Sequence, residues 1–148
     1  MAIDNSYTGF RKVEVDQCEQ VDPVPHDLTK EYNLDFKDLE LRLQRGRGVD
    51  VLKTILSSPP AGSKDPSEKD GALSLVIRTM LSIRRGQIEQ TVEELDGDQK
   101  QCLMKYIYRG FEQPKDGSSS HLLKWHEHTF ASTGLGTIMR VFTDRKTI

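Results

Sequence analysis

From about residue 36 onward, apolar positions recur at helical spacing. Leu73, Val76, Ile77, Met80 and Leu81 are separated by steps of three, one, three and one, tracing one face of an α-helix. That helix is expected to stop at Arg84-Arg85-Gly86, with cations in its last turn and Gly at the C′ position. Before it, Leu39, Leu41 and Leu43 alternate as a strand would. The surrounding Glu, Arg and Gln, and a Gly46/Gly48 stop, favour a short helix ending near Arg45. Val49, Val51, Leu52, Ile55 and Leu56 form a second, closed by Ser57-Ser58-Pro59-Pro60, and residues 61–67 read as a loop. Further on, Ile88, Val92 and Leu95 are closed by Asp96-Gly97. Cys102, Leu103, Tyr106 and Ile107 are closed by Arg109-Gly110. Leu122, Leu123, Trp125, His126, Thr129 and Phe130 are opened by an N-cap in Ser118-Ser119-Ser120 and ended by Gly134 and Gly136. Leu135, Ile138, Met139 and Phe142 make a last short helix before the basic end Arg145-Lys146.

No Asn-Gly or Asp-Gly pair sits between alternating runs, so hairpins are not expected. The pattern predicts an all-α fold: stacked antiparallel helix pairs in a superhelix-like or bundle-like body. The Leu73–Leu81 and Leu122–Phe130 faces are expected to be buried together. The pairs at 37–57 and 68–96 both turn at Arg-Gly, but no fixed repeat period follows.

Residues 1–35 break the pattern. They contain Pro23, Pro25 and no sustained apolar period, with eight acids against three bases. The remaining residues carry 18 bases against 15 acids, so arm and body differ in sign. The division expected is an extended or disordered acidic arm over 1–35 and a helical body over 36–148. Tyr7, Phe10, Val13 and Val15 are the arm's apolar cluster, which reads as a contact element or, alternatively, as part of a solvated tail.

Composition narrows the class. Apolar residues are 35% and charged residues 30%, and no run approaches the roughly 20 apolar residues of a membrane helix. The polar opening lacks the apolar stretch of a secretory signal. Cys18 and Cys102 lie in dissimilar contexts, neither a disulfide framework nor a zinc site, and suit a reducing compartment. A formal net charge of −2 argues against a general nucleic-acid binder.

Candidate chemistry is sparse. His121, His126 and His128 are five and two residues apart, whereas ligands on one helix facing one ion need spacings of three or four, so metal binding is not expected. Gly134-Leu135-Gly136 lacks the third glycine and preceding strand of a phosphate loop. The Ser118–Ser120 run has no nucleophile elbow, and Cys102 and Trp125 lie on apolar faces and read as core. No cofactor or catalytic site is expected. Two classes remain on these grounds: a structural subunit that bridges partners, and a small all-α enzyme or cofactor carrier. The lack of a convergent acid, base or metal set favours the first.

Two blocks carry a resemblance. Leu103-Met-Lys-Tyr-Ile-Tyr-Arg-Gly-Phe-Glu112, Ser118-Ser119, Leu122-Leu123, Trp125-His126-Glu127, Gly134-x-Gly136-x-Ile138-x-Arg140-Val141 and Arg145-Lys146-Thr147 resemble the smallest subunit (subunit 5) of the actin-related protein 2/3 complex. Phe10-Arg11-Lys12-Val13-Glu14-Val15-Asp16 is similar to that family's N-terminal signature. Over 37–97 the likeness is mainly one of pattern, and over 17–35 it is little more than acidity. The resemblance implies a non-catalytic structural subunit in the cytoplasm and its actin cytoskeleton, supporting branched nucleation of actin filaments. It implies a body that packs on the β-propeller subunit and subunit 4, and an arm that tethers actin-related protein 2. Carried over, Phe10, Arg11, Lys12, Val13, Val15 and Asp16 would be the tether. Arg140, Arg145 and Lys146, between the Trp125 helix and the C-terminus, are the body-interface candidates.

Overall fold

The computed structural model describes residues 35–60, 65–114, 117–144 and 148. Among these residues there are seven α-helices and one 3₁₀ turn, and no strand, so the expected all-α class holds. The helices are α1 (Phe36–Gln44), α2 (Gly48–Ser57), α3 (Pro66–Ser82), α4 (Ile88–Glu93), α5 (Gly97–Glu112), α6 (Ser118–Thr133) and α7 (Leu135–Thr143), with the 3₁₀ turn at Arg85–Gln87.

Helix α3 is central and packs on α1, α2, α5 and α6. Its Val76 and Met80 meet Leu52 and Ile55 of α2, Leu103, Tyr106 and Ile107 of α5, and Leu122 and Trp125 of α6 in one buried cluster. Helix α4 adds Ile88 and Val92 to that cluster and lies against α6. A single shared core explains why no helix need be stable alone. Burial of one face, not intrinsic propensity, holds most short helices together.

Local chemistry sets the helix starts. Asp35 accepts from the Lys37 N–H at 3.2 Å and caps α1. Pro66 occupies the first turn of α3, where its missing N–H costs nothing. Asp96 and Gln99 form a reciprocal capping box at the start of α5. The end of α3 is closed from outside. Met80 carbonyl oxygen belongs to the last turn and has no helical partner. It accepts from His121 Nε2 at 2.8 Å and from Trp125 Nε1 at 3.3 Å. The histidine therefore carries its proton on Nε2 and serves as a helix cap buried in the core.

Several expected boundaries shift. Gly46, at φ +79°, does follow α1, but Gly48 opens α2 instead of ending α1. A Cβ on Gly48 would lie 3.1 Å from Ser82 Oγ and 3.4 Å from Ile83 Cγ1, so this glycine permits a close approach to α3. Helix α3 stops at Ser82, and Gly86 belongs to the 3₁₀ turn. Gly97 begins α5, with Asp96 as its cap. Gly110 lies inside α5, which runs on to Glu112. Its missing Cβ leaves room for Leu122 and Ile77, 3.1 and 3.4 Å from where that atom would be. Gly117 holds the N-cap position of α6, so Ser118–Ser120 form its first turn, and Gly136 lies within α7.

Candidate partner-docking face

The expected burial of Leu81, Leu123 and Phe130 does not occur: they are 42%, 58% and 41% exposed. In α3 the inward positions go to Leu73, Leu75, Val76, Thr79 and Met80. Thr79 tolerates burial because its hydroxyl donates to Leu75 carbonyl at 2.7 Å. In α6 the inward line is Ser118, His121, Leu122, Trp125 and Thr129. Leu123 and Phe130 lie seven residues apart, two turns of helix, on the opposite side from Trp125.

Helix α7 repeats the arrangement. Ile138 and Val141 are half-buried against the core, whereas Leu135, Met139 and Phe142 are 64%, 55% and 69% exposed along one stripe. Gly134 makes the tight junction between α6 and α7 at φ +72°, ψ −171°, a backbone region open essentially to glycine. Seven large apolar side chains are exposed among the described residues, and five of them lie on these two helices.

Aromatic rings join the two stripes. Tyr108 of α5 meets Phe142 edge to face at 5.2 Å and His126 at 5.6 Å, and His126 stacks on Phe130 at 6.2 Å. Tyr108 also meets Phe111 at 6.2 Å, and its hydroxyl lies 3.3 Å from His126 Nε2. The result is a continuous half-exposed aromatic surface bridging Phe130 and Phe142. Isolated exposed apolar residues are ordinary, but a contiguous set fixed by ring packing is a candidate surface for another molecule to cover.

Charged groups frame it. Lys105 of α5 pairs with Asp144 just beyond α7. Lys124 pairs with Glu127 at 2.7 Å, and this hydrogen bond with its charge holds the Glu127 carboxyl below its usual range. Arg140 is exposed on α7 and donates to Gln101 Oε1 at 3.3 Å, which leans it toward α5. Arg145 and Lys146 lie outside the described residues, as do Phe10, Arg11, Lys12, Val13, Val15 and Asp16.

The residues with potential for chemistry are dispersed. His121 caps α3, His126 sits in the aromatic surface, and His128 lies elsewhere on α6. Among the described residues no group of three or more His, Cys, Asp or Glu side chains could hold a metal ion. Burial pushes the Cys102 thiol up to about 12, outweighing the opposing charge of Lys105. Burial likewise raises the Tyr106 phenol, whose oxygen has no hydrogen-bond partner. No helix among the described residues is long and apolar enough to cross a membrane.

Arg140, Arg145 and Lys146 are the body-interface candidates from the sequence, and the exposed apolar side chains of α6 and α7 add a second set in the same stretch. From the sequence, Leu123 and Phe130 read as core, and Leu135, Met139 and Phe142 as one face of a short helix. The available signal was an excess: α6 and α7 carry more apolar positions than a one-sided helix can bury.

These features define an all-α subunit-type protein, with a core that is complete and a second apolar surface that is not. The chain matches the family model described as ARP2/3 complex 16 kDa subunit (p16-Arc) over residues 9–148. It is 38% identical to actin-related protein 2/3 complex subunit 5-C of Xenopus laevis and 33% identical to actin-related protein 2/3 complex subunit 5-like protein of Homo sapiens, each over the full length of both chains. It is 34% identical to actin-related protein 2/3 complex subunit 5 of Dictyostelium discoideum, covering 80% of this chain and 87% of that one. The chain belongs to the p16-Arc family of ARP2/3 complex subunits.

Proposed function

We propose that this chain is a non-catalytic structural subunit of the actin-related protein 2/3 complex and supports the nucleation of branched actin filaments in the cytoplasm. The body docks through the α6–α7 face on the β-propeller subunit and subunit 4. The arm, through Phe10, Arg11, Lys12, Val13, Val15 and Asp16, tethers actin-related protein 2. Family membership supports the assembly. The observation that carries the docking is the run of exposed apolar side chains on α6 and α7 joined through Tyr108 and His126. Few anchors suffice, because a handful of buried aromatic and aliphatic residues usually dominates an interface.

The division of labour follows from linkage. An arm binding alone loses conformational freedom and holds weakly. Once the body is docked, the same contact forms at high effective concentration and becomes a dependable but releasable clamp.

The test is reconstitution with a chain lacking residues 1–35. Assembly should survive, because the buried cluster among the described residues lies within 39–148, while branch formation from filament sides should fall. Phe10→Ala with Val13→Ala should reproduce part of the defect. Unchanged branching without the arm would remove the tether from the account.

A further inference from the structure

Two turns on the side of the body formed by α1, α2 and the 3₁₀ turn carry an unused positive charge. Residues 45–47 join α1 to α2, and residues 83–84 join α3 to the 3₁₀ turn. The two lie close together: the missing Cβ of Gly48, next to the first, would be 3.1 Å from Ser82 Oγ and 3.4 Å from Ile83 Cγ1 of the second. Arg45, Arg47 and Arg84 are exposed on them, and Arg85, the first residue of the 3₁₀ turn, is exposed beside Arg84. Arg85 donates to Ser120 Oγ at 3.1 Å, but no ion pair among the described residues engages Arg45, Arg47 or Arg84. Between the turns lies a groove of about 310 Å³, walled by Leu43, Val49 and Ile83 and bordered by Gln87 and Gln90. Its acid, Glu94, is already paired with Lys53 at 2.9 Å. A groove with apolar walls and amide side chains, whose lining residues Gly46, Gly48 and Ile83 are flanked in the chain by the exposed Arg45, Arg47 and Arg84, fits an acidic peptide with interspersed apolar residues.

We propose that this groove receives the chain's own acidic segment, residues 19–34. That segment holds Glu19, Asp22, Asp27 and Glu31 against the lone base Lys30, with Val21, Val24, Leu28 and Leu34 among them. It ends where the groove begins to be reachable. Asp35 caps α1, and the nine residues of α1 place Arg45 about 13 Å away at 1.5 Å per residue. Four extended residues at about 3.3 Å each cover that distance, so Glu31 and the residues before it reach the rim. Individual exposed ion pairs contribute little. Several of them, with a tether that keeps the segment at a local concentration of order millimolar, give a populated but salt-sensitive contact. Docking there fixes the direction in which residues 1–18 leave the body, whichever surface the tether motif then meets.

The experiment uses the full-length chain carrying Cys18→Ser and His26→Cys, with a nitroxide on the new thiol in the middle of the segment. Cys102 is buried and stays unlabelled. At low ionic strength, amide signals of residues 45–48 and 83–87 should lose intensity, while those of α6 and α7 keep theirs. The loss should disappear at about 0.5 M salt, where the screening length falls to a few ångströms. It should also disappear in the Arg45→Glu, Arg47→Glu, Arg84→Glu chain, whose thermal midpoint checks that the body is intact. Undiminished signals at low salt overturn the proposal, as does a loss that survives the triple substitution. If the groove amides ignore the label but shift on adding a polyglutamate peptide, the occupant is a separate acidic partner and the proposal fails.

Discussion

Replacing Trp125 with Ala removes the largest fully buried side chain of the body. The indole N–H donates to Met80 carbonyl, but that oxygen also accepts from His121 at 2.8 Å. The truncation therefore leaves no orphaned acceptor, and the cost is one of lost apolar burial plus the cavity left among Leu103, Tyr106, Leu122 and Met80. Such truncations cost about 3–5 kcal/mol. Set against a typical domain stability of roughly 5–15 kcal/mol, that is about a fifth of the total at the least and all of it at the most. At about 3–5 °C per kcal/mol for a body of this size, the thermal midpoint should fall by roughly 10–25 °C. Leu123, two residues earlier, supplies the control. It is 58% exposed on the other side of α6, so Leu123→Ala should change the stability of the free chain by less than about 0.5 kcal/mol. Urea unfolding followed by far-ultraviolet circular dichroism measures both, with the slope against denaturant expected to stay constant. A cost below about 1 kcal/mol for Trp125→Ala, or equal costs for the two substitutions, would refute the assignment of the inward face of α6.

In a chain carrying Cys18→Ser, the thiol of Cys102 should resist alkylation near pH 8 until the protein unfolds, as timed thiol labelling would show. Its folded value lies near 12 against an ordinary 9.0, so the unfolded state loses its proton first, and stability should fall as pH rises from about 9 to about 12 in denaturant titrations. Gly134→Ala should cost about 1–3 kcal/mol, because no atom lies within 4 Å of the added Cβ and the penalty is the backbone conformation alone. Calorimetry checks its size, and the same substitution should weaken subunit assembly by altering how α7 lies on α6.

The fold class and most helix centres were legible because apolar residues at helical spacing have one physical solution, a buried stripe. The faces were less legible. Steps such as Met80-Leu81 and Leu122-Leu123 place two apolar neighbours about 100° apart, and only one of each pair points fully inward. Two further inward positions go to polar residues whose satisfaction depends on folding, Thr79 by its own helix and His121 by the end of α3. Glycine misled for a related reason. Gly48 and Gly110 read as stops, yet they serve close helix contacts that exist only once α3, α5 and α6 are together. Of the exposed α6–α7 face, the apolar residues were visible in the sequence, but the ring path through Tyr108, His126 and Phe142 was not, since it joins three helices.

The central claim is that the α6–α7 face is where the body enters its assembly. The most direct measurement is co-assembly of the full-length Met139→Asp, Phe142→Asp chain with the other subunits, followed by size-exclusion chromatography. Both side chains are more than half exposed in the free chain, so its helical content and thermal midpoint should stay as they are. The account predicts that this well-folded chain elutes alone while the unmodified chain elutes with its partners. Stoichiometric incorporation of the doubly substituted chain would contradict it.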